Sequence, residues 1–293
     1  MRIRRVEPTV VARVYSSSAW RRHLPLLAGI GLIVCALLPV LLGRWFVTPE
    51  MAAVFGDVPN LPPSLKHPLG TQSEGRDLLA ALMLGTPATL AIGLIGGGVA
   101  VLVGGTLGLV SGYRGGWTDT VIRTIVDVGM TVPPLAVLIL IAVSIPKVSV
   151  PVMGLIIATT AWISVTRVMR SQVLTLRERL FIKTAKLSGV GSFGIMAFEL
   201  APNLMPLFAA SFVNSVTTAI LASIGLEVLG LGPRESYTLG NTIYEAMYYT
   251  AMWRDMWWWW LPPIFILILI FLGLFLVSND LDRIANPRLE RGW

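Results

Sequence analysis

Few residues in this sequence have the type and spacing to do chemistry, and those few narrow the choice of chemistry. Arg123 and Asp127 stand four apart, on one helical face, inside an apolar block. Charges at membrane depth are expensive and commonly pair or line an aqueous path. The two therefore read either as a structural ion pair or as a contact for something passing through. Glu227 is the other acid at the edge of an apolar block. The two histidines, His23 and His67, lie far apart, and the single cysteine, Cys35, sits inside the first apolar block. That excludes a disulfide framework and a cysteine zinc site, and it leaves histidine-based catalysis with little to work with. A membrane-embedded transferase would need clustered His, Asp or Glu at the membrane face, and no such cluster occurs. The phosphate loop G-x-x-x-x-G-K-S/T is also missing. The chain is expected to bind no nucleotide, cofactor or metal of its own and to catalyse nothing alone.

The second candidate is a binding surface. Ser171 to Pro206 (SQVLTLRERLFIKTAKLSGVGSFGIMAFELAPNLMP) is the longest basic, polar interval between two apolar blocks. At helical spacing Leu176, Leu180, Thr184 and Leu187 share one face, and Arg179, Lys183 and Lys186 form a neighbouring basic stripe. Gly189 and Gly191 end that helix; Pro202 and Pro206 mark the entry to the next span. A helix on anionic lipid, a plain connector and a docking element for a soluble partner all fit this layout.

The elements around these residues are membrane spans. Of the 293 residues 55% are hydrophobic and only 13% charged, about half the charge of a soluble domain, and the mean hydropathy is +0.74. Apolar blocks of about 20 residues recur, the length of a spanning helix. The pattern predicts an all-α, polytopic membrane protein with six transmembrane helices. The first runs over Leu24 to Phe46, after a cytoplasmic tail (1–23), and is too long for a cleaved signal peptide. An extracytoplasmic loop (47–85) follows, closing with a short helix from Arg76 to Leu84. A core of five spans (86–279) comes next, over Thr86–Val110, Val121–Ile145, Val148–Val165, Leu204–Leu226 and Leu261–Val277. It holds the cytoplasmic loop 171–203 and an extracytoplasmic loop 227–256, and a polar tail (280–293) ends the chain. Gly93/Gly97 and Gly104/Gly108 have small-xxx-small spacing, which lets another helix approach. Gly112 to Asp119 reads as a tight turn. Pro133-Pro134 interrupts the third span, since neither ring nitrogen donates. Trp257 to Trp260 reads as an interfacial aromatic belt.

Six spans put both termini on one side. Sixteen of the 23 Lys and Arg residues fall on the side of the N-tail, the turn at Arg114, the interval Arg167 to Lys186 and the C-tail. Lys and Arg are enriched in cytoplasmic segments, so both termini are predicted to be cytoplasmic. The same bias accounts for the net charge of +7 without nucleic acid.

Five segments carry a family resemblance. HPLGTQSEGRDLLAALMLGT (His67 to Thr86) resembles the HPLGTDxxGRDxLSRLxYGA signature of the dipeptide/oligopeptide/nickel permeases of ABC importers, specifically their second, C-type subunit. Gln72 replaces the usual Asp there, and Pro87 stands where an Arg is common. GYRGGWTDTVIRTIVDVGMTVPPL resembles GYxGGWxDxxxxRxxDxxxxxPxL. Leu229 to Gly232 with Gly240-Asn241 resembles FLGLG…WGN, with Leu239 for the Trp. The Glu usual before that motif is Ser223 here, and Glu227 supplies an acid instead. The tail DLDRIANPRL resembles DxLRDxLDPRL. The basic loop resembles the EAA motif: Ala185, Gly189 and Pro202 match, whereas Lys183-Thr184 replace its Glu and first Ala.

The resemblance implies a type I ABC-importer permease fold in the bacterial plasma membrane. It implies a heterodimer with a B-type permease, two cytoplasmic ABC ATPases that bind ATP and magnesium, and an extracytoplasmic substrate-binding protein. Membrane lipid is the remaining partner. Arg179, Lys183, Thr184, Ala185, Gly189 and Pro202 would form the ATPase-coupling loop, and Arg123, Asp127 and Glu227 are candidates for the pathway or for intramembrane structure. Di- and oligopeptides are the expected cargo, with nickel chelates or oligosaccharides as alternatives. An ATP-independent secondary transporter would need no docking loop and would show inverted repeats, which the sequence lacks.

Overall fold

One helix sets the arrangement of the others. The structure, a computed structural model, describes residues 24–285 apart from 44 and 46, so the predicted N-terminal tail and the last eight residues lie outside the described residues. In chain order the main helices are α1 (Leu24–Gly43), α2 (Leu78–Arg114), α3 (Gly116–Thr131), α4 (Pro134–Ser144), α5 (Val150–Leu176), α6 (Leu180–Leu187), α7 (Met205–Val228), α8 (Leu239–Tyr248) and α9 (Trp257–Ala285). Five of them, α1, α2, α5, α7 and α9, are long and apolar enough to cross a membrane. A sixth crossing is available if α3 and α4, bent by 86° at Val132-Pro133, count as one broken span. No strand occurs among the described residues; the sole β pairing is an isolated bridge between Thr71 and Asp77.

α2 is the axis of this bundle, and its glycines decide how the others meet it. A Cβ on Gly93 would lie 2.6 Å from Ile220 Cγ1, and one on Gly97 would lie 2.7 Å from the Val216 backbone nitrogen, so this pair seats α7. Gly104 and Gly108 seat α5 in the same way, against the Trp162 and Thr166 carbonyls. Glycine in a helix interior costs roughly 0.5–1 kcal/mol relative to alanine; close packing of backbones without competing side chains offsets it. α1 and α9 use a reciprocal version: Gly29 and Gly273 each face the other's carbonyl oxygen.

Several boundaries differ from the sequence reading. The short helix Arg76–Leu84 and the second span are one continuous helix of 37 residues, because Pro87 is accommodated inside it. The turn expected over Gly112–Asp119 shrinks to Gly115 and Gly116, both at positive φ. α5 continues to Leu176, well past Val165, because Met169 and Val173 on its last turns are fully buried. The first residues of the basic loop are therefore span helix. The loop 227–256 contains α8. The four tryptophans form the first turn of α9, and within the expected belt Trp259 is fully buried in the protein and stacks on Tyr249 with ring centroids 5.8 Å apart.

Candidate functional site: a coupling segment and a charged cleft

The basic interval folds into two parts. α6 starts at Arg179, which occupies its N-cap position with no side-chain cap bond. It ends in a glycine-terminated turn: Gly189 N–H donates to the Lys186 carbonyl and Val190 N–H to the Ala185 carbonyl, both at 3.1 Å. This pair of bonds defines a Schellman cap, whose left-handed residue is favoured as glycine; Gly189 has φ +81. The chain then runs through a π-helical turn, Ile195–Leu200, before α7. Nothing in the sequence pattern signalled that turn.

The expected apolar face is corrected. Leu176 belongs to α5, and Leu180 and Leu187 are 78% and 90% exposed. The residue that anchors α6 is Ile182, fully buried in a cluster with Val173, Ile195, Met196, Leu200 and Leu204, against which Leu109, Tyr113, Leu176 and Ala185 pack. That cluster ties α6 to the ends of α2, α5 and α7. Outward from it stand Leu180, Leu187, Val190, Phe193 and Phe198, all exposed, beside the basic residues. Lys183 Nζ lies 3.8 Å from Glu178, and Lys186 Nζ sits 5.3 Å above the Tyr113 ring. Thr184 is exposed, Ala185 is half-buried, and Pro202 lies in the short helical piece Ala201–Asn203. The arrangement is an amphipathic projection with an anchored root.

The second group lies between α3 and α5. Arg123 Nε donates to Asp127 Oδ2 at 3.3 Å, with both side chains more than half exposed. One turn nearer the Gly115 turn, Arg170 grips Asp119 in bidentate fashion, Nε to Oδ1 at 2.5 Å and Nη2 to Oδ2 at 2.7 Å, while Ser111 Oγ also donates to Asp119. α3 buries only Val126. Its polar face, with Thr120, Arg123, Thr124 and Asp127, is exposed.

Glu227 does not join them. It is fully buried at the end of α7, with Thr238 Oγ1 donating to its Oε2 at 2.7 Å. Any Cβ on Gly240 would collide with that carboxylate, and one on Gly232 would collide with the Asn241 amide oxygen. Asn241 Nδ2 in turn donates to the Pro233 carbonyl at 2.8 Å. LGLG…GN is thus a clasp around a buried acid.

A further network, not foreseen as a site, holds the loop before α2. His67, only 7% exposed, places Nδ1 2.7 Å from Asp77 Oδ2 and Nε2 3.0 Å from Asp57 Oδ2, the latter without hydrogen-bond alignment. Asp77 caps α2 by accepting from Ala80 N–H at 2.9 Å. Lys66 donates to Asp57 and, with the Val58 N–H, holds its carboxyl low, at about 2. Beside it Arg76 bridges Glu74 (2.7 Å) and Glu245 (3.2 Å), and Tyr249 OH donates to Glu74 at 3.0 Å. Burial pushes the Glu245 carboxyl up to about 7 despite Arg76. The signal was present in the crowding of His67, Arg76 and Asp77 just ahead of an apolar run, which is a helix-start pattern.

Known proteins match this chain along most of its length. Residues 104–291 match the family described as "Binding-protein-dependent transport system inner membrane component", more than half of the chain. The oligopeptide transport system permease protein OppC of Lactococcus lactis subsp. lactis is 31% identical over 76% of this chain and 76% of its own length. The dipeptide transport system permease protein DppC of Bacillus subtilis is 27% identical over 94% of this chain and 87% of its own. OppC of Mycobacterium tuberculosis is 35% identical over 58% of this chain, and the match spans 59% of that protein. The bent helical bundle, the anchored basic projection and these matches together place the chain in the family of binding-protein-dependent ABC transport permeases.

Proposed function

We propose that this chain is the C-type permease subunit of an ATP-driven importer of di- and oligopeptides in the bacterial inner membrane. It pairs with a B-type permease to enclose the pathway, receives cargo from an extracytoplasmic binding protein, and is driven by two cytoplasmic ATPases that bind ATP and magnesium. The observation that carries this reading is α6: exposed apolar and basic side chains on a short helix whose root, Ile182, is locked into the ends of three spans. A free amphipathic helix lying on lipid would need no such root. Closure of the ATPases pushes α6, and the cluster around Ile182 transmits that push to α2, α5 and α7.

Both termini then lie in the cytoplasm, with α6 on the same side, in agreement with the lysine and arginine bias. The loops around His67 and α8 face outward, toward the binding protein. Peptide is the preferred cargo because the relatives' names specify oligopeptide and dipeptide transport. α3 leaves a polar face uncovered, as expected where a second permease and an aqueous path meet.

The experiment is peptide uptake by the complete transporter with and without its ATPases. Uptake that needs both the ATPases and ATP supports the reading; uptake that survives their loss would overturn it in favour of a secondary transporter.

A further inference from the structure

The cleft between α3 and α5 contains more positive than negative charge, and its unmatched member is identifiable. The two helices run antiparallel in contact: Asp119 meets Arg170 near the Gly115 turn, a Cβ on Gly129 would touch Ile163 at 2.7 Å, and Met130 meets Arg167. Between them lies a cleft of about 270 Å³ lined by Ile122, Arg123, Val126, Asp127, Thr166 and Arg167, with Arg170 at its edge. Three guanidiniums face two carboxylates. Arg170 uses both oxygens of Asp119, and Arg123 holds one oxygen of Asp127 through Nε alone. Arg167 reaches no carboxylate among the described residues; its one polar contact is Met130 Sδ, at 3.1 Å. A thioether is a weak acceptor and cannot balance a guanidinium.

The direction of Arg167 matters as much as its pairing. A basic residue that only marks the cytoplasmic boundary snorkels back toward that boundary. Arg167 instead reaches to Met130, on the last turn of α3, away from the turn at Gly115. It is held against α3, on the side where α3 is uncovered.

We propose that Arg167, assisted by Arg123, forms a subsite for the terminal carboxylate of a peptide in transit. The inference rests on the importer reading above. A guanidinium fork matches a carboxylate in bidentate geometry. Every linear peptide presents one terminal carboxylate whatever its sequence, so the subsite recognises cargo without reading side chains. Asp127 tunes it, by occupying the Nε of Arg123 and leaving its terminal Nη donors free. The partner permease closes the cleft and does not neutralise it.

The test uses the complete transporter in proteoliposomes, offered one tripeptide on the binding-protein side as the free acid and as the C-terminal amide, with ATP on the opposite side. The quantity read is the acid-to-amide ratio of initial uptake rates, compared between variant and wild type; any preference of the binding protein is common to both and cancels. Arg167→Gln is expected to lower the ratio about tenfold, the scale of one lost charge-assisted hydrogen bond, and Arg167→Lys to restore part of it. Asp127→Asn is expected to raise the ratio, and it carries the test alone if Arg167→Gln fails to assemble. A ratio unchanged in Arg167→Gln, or not raised in Asp127→Asn, would overturn the subsite while leaving the importer reading intact. No ATP-dependent peptide uptake by the wild-type complex would overturn both.

Discussion

The two ends of this molecule treat charge in opposite ways. At the end that carries the loop before α2 and the segment around α8, polar groups find partners within the chain: His67 with Asp77, Arg76 with Glu74 and Glu245, Thr238 with Glu227. At the α6 end Arg179, Lys183 and Lys186 project beside exposed Leu180, Leu187 and Phe193, and among the described residues the only carboxylate near Lys183 is 3.8 Å away on an exposed Glu178. Surface ion pairs of that kind contribute little. One end therefore pairs most of its charges internally, whereas the other leaves apolar and basic side chains open. α3 resembles the second kind, with an exposed Arg123–Asp127 pair that acyl chains would not tolerate.

The contrast is most severely stressed by unmaking the internally paired end. Glu227→Ala removes the acid at the centre of the LGLG…GN clasp, leaving Thr238 Oγ1 buried without its acceptor. A loss of roughly 2–3 kcal/mol is expected for a buried hydrogen-bonded group, seen as a lower thermal midpoint of the purified complex. A midpoint equal to wild type would mean the clasp is not what holds α8 to α7.

A smaller effect sharpens the same comparison through pH. The Glu245 carboxyl titrates at about 7 in the folded chain, above its ordinary value of 4.5, chiefly because it is buried. A raised folded pKa contributes stability that is full below about 4.5 and is lost as pH climbs through 7. Protection of α8 amides against hydrogen exchange should therefore fall between those limits in wild type and stay level in Glu245→Gln. Parallel profiles in the two proteins would assign the pH dependence elsewhere.

Much of the fold was readable because hydrophobic run length is a strong signal in a membrane: every predicted span contains or overlaps a helix of the structure. The break at Pro133-Pro134 followed from two residues that cannot donate. What was not readable depended on tertiary contact. The end of α5 was placed too early because burial of Met169 and Val173 extends a helix that local polarity seemed to stop. Periodicity put Leu180 and Leu187 on one face without saying which way it points; Ile182 is the root, since the partner that α6 packs against comes from distant segments. Trp257 to Trp260 look interfacial by composition, and only the position of Tyr249 reveals that Trp259 is core. Arg167 sits among several basic residues in sequence, and its lack of a carboxylate partner is a fact of geometry. Glu227 was open to two readings, and its enclosure by Gly232, Gly240 and Thr238 is a fact of tertiary packing that the sequence does not display.

The central claim is that α6 transmits work from an outside partner, and the coupling ratio measures it most directly. ATP hydrolysed per peptide transported should be compared, in the reconstituted transporter, between wild type, Arg179→Glu/Lys183→Glu and Gly189→Leu. The charge reversal alters the basic surface. Gly189→Leu strains a cap at φ +81, where a Cβ would meet nothing within 4 Å, so conformation and not crowding is at issue. The account predicts normal membrane abundance and a ratio raised about tenfold or more in both variants, because docking geometry carries the push. A ratio equal to wild type in both would contradict it and move the docking site away from α6.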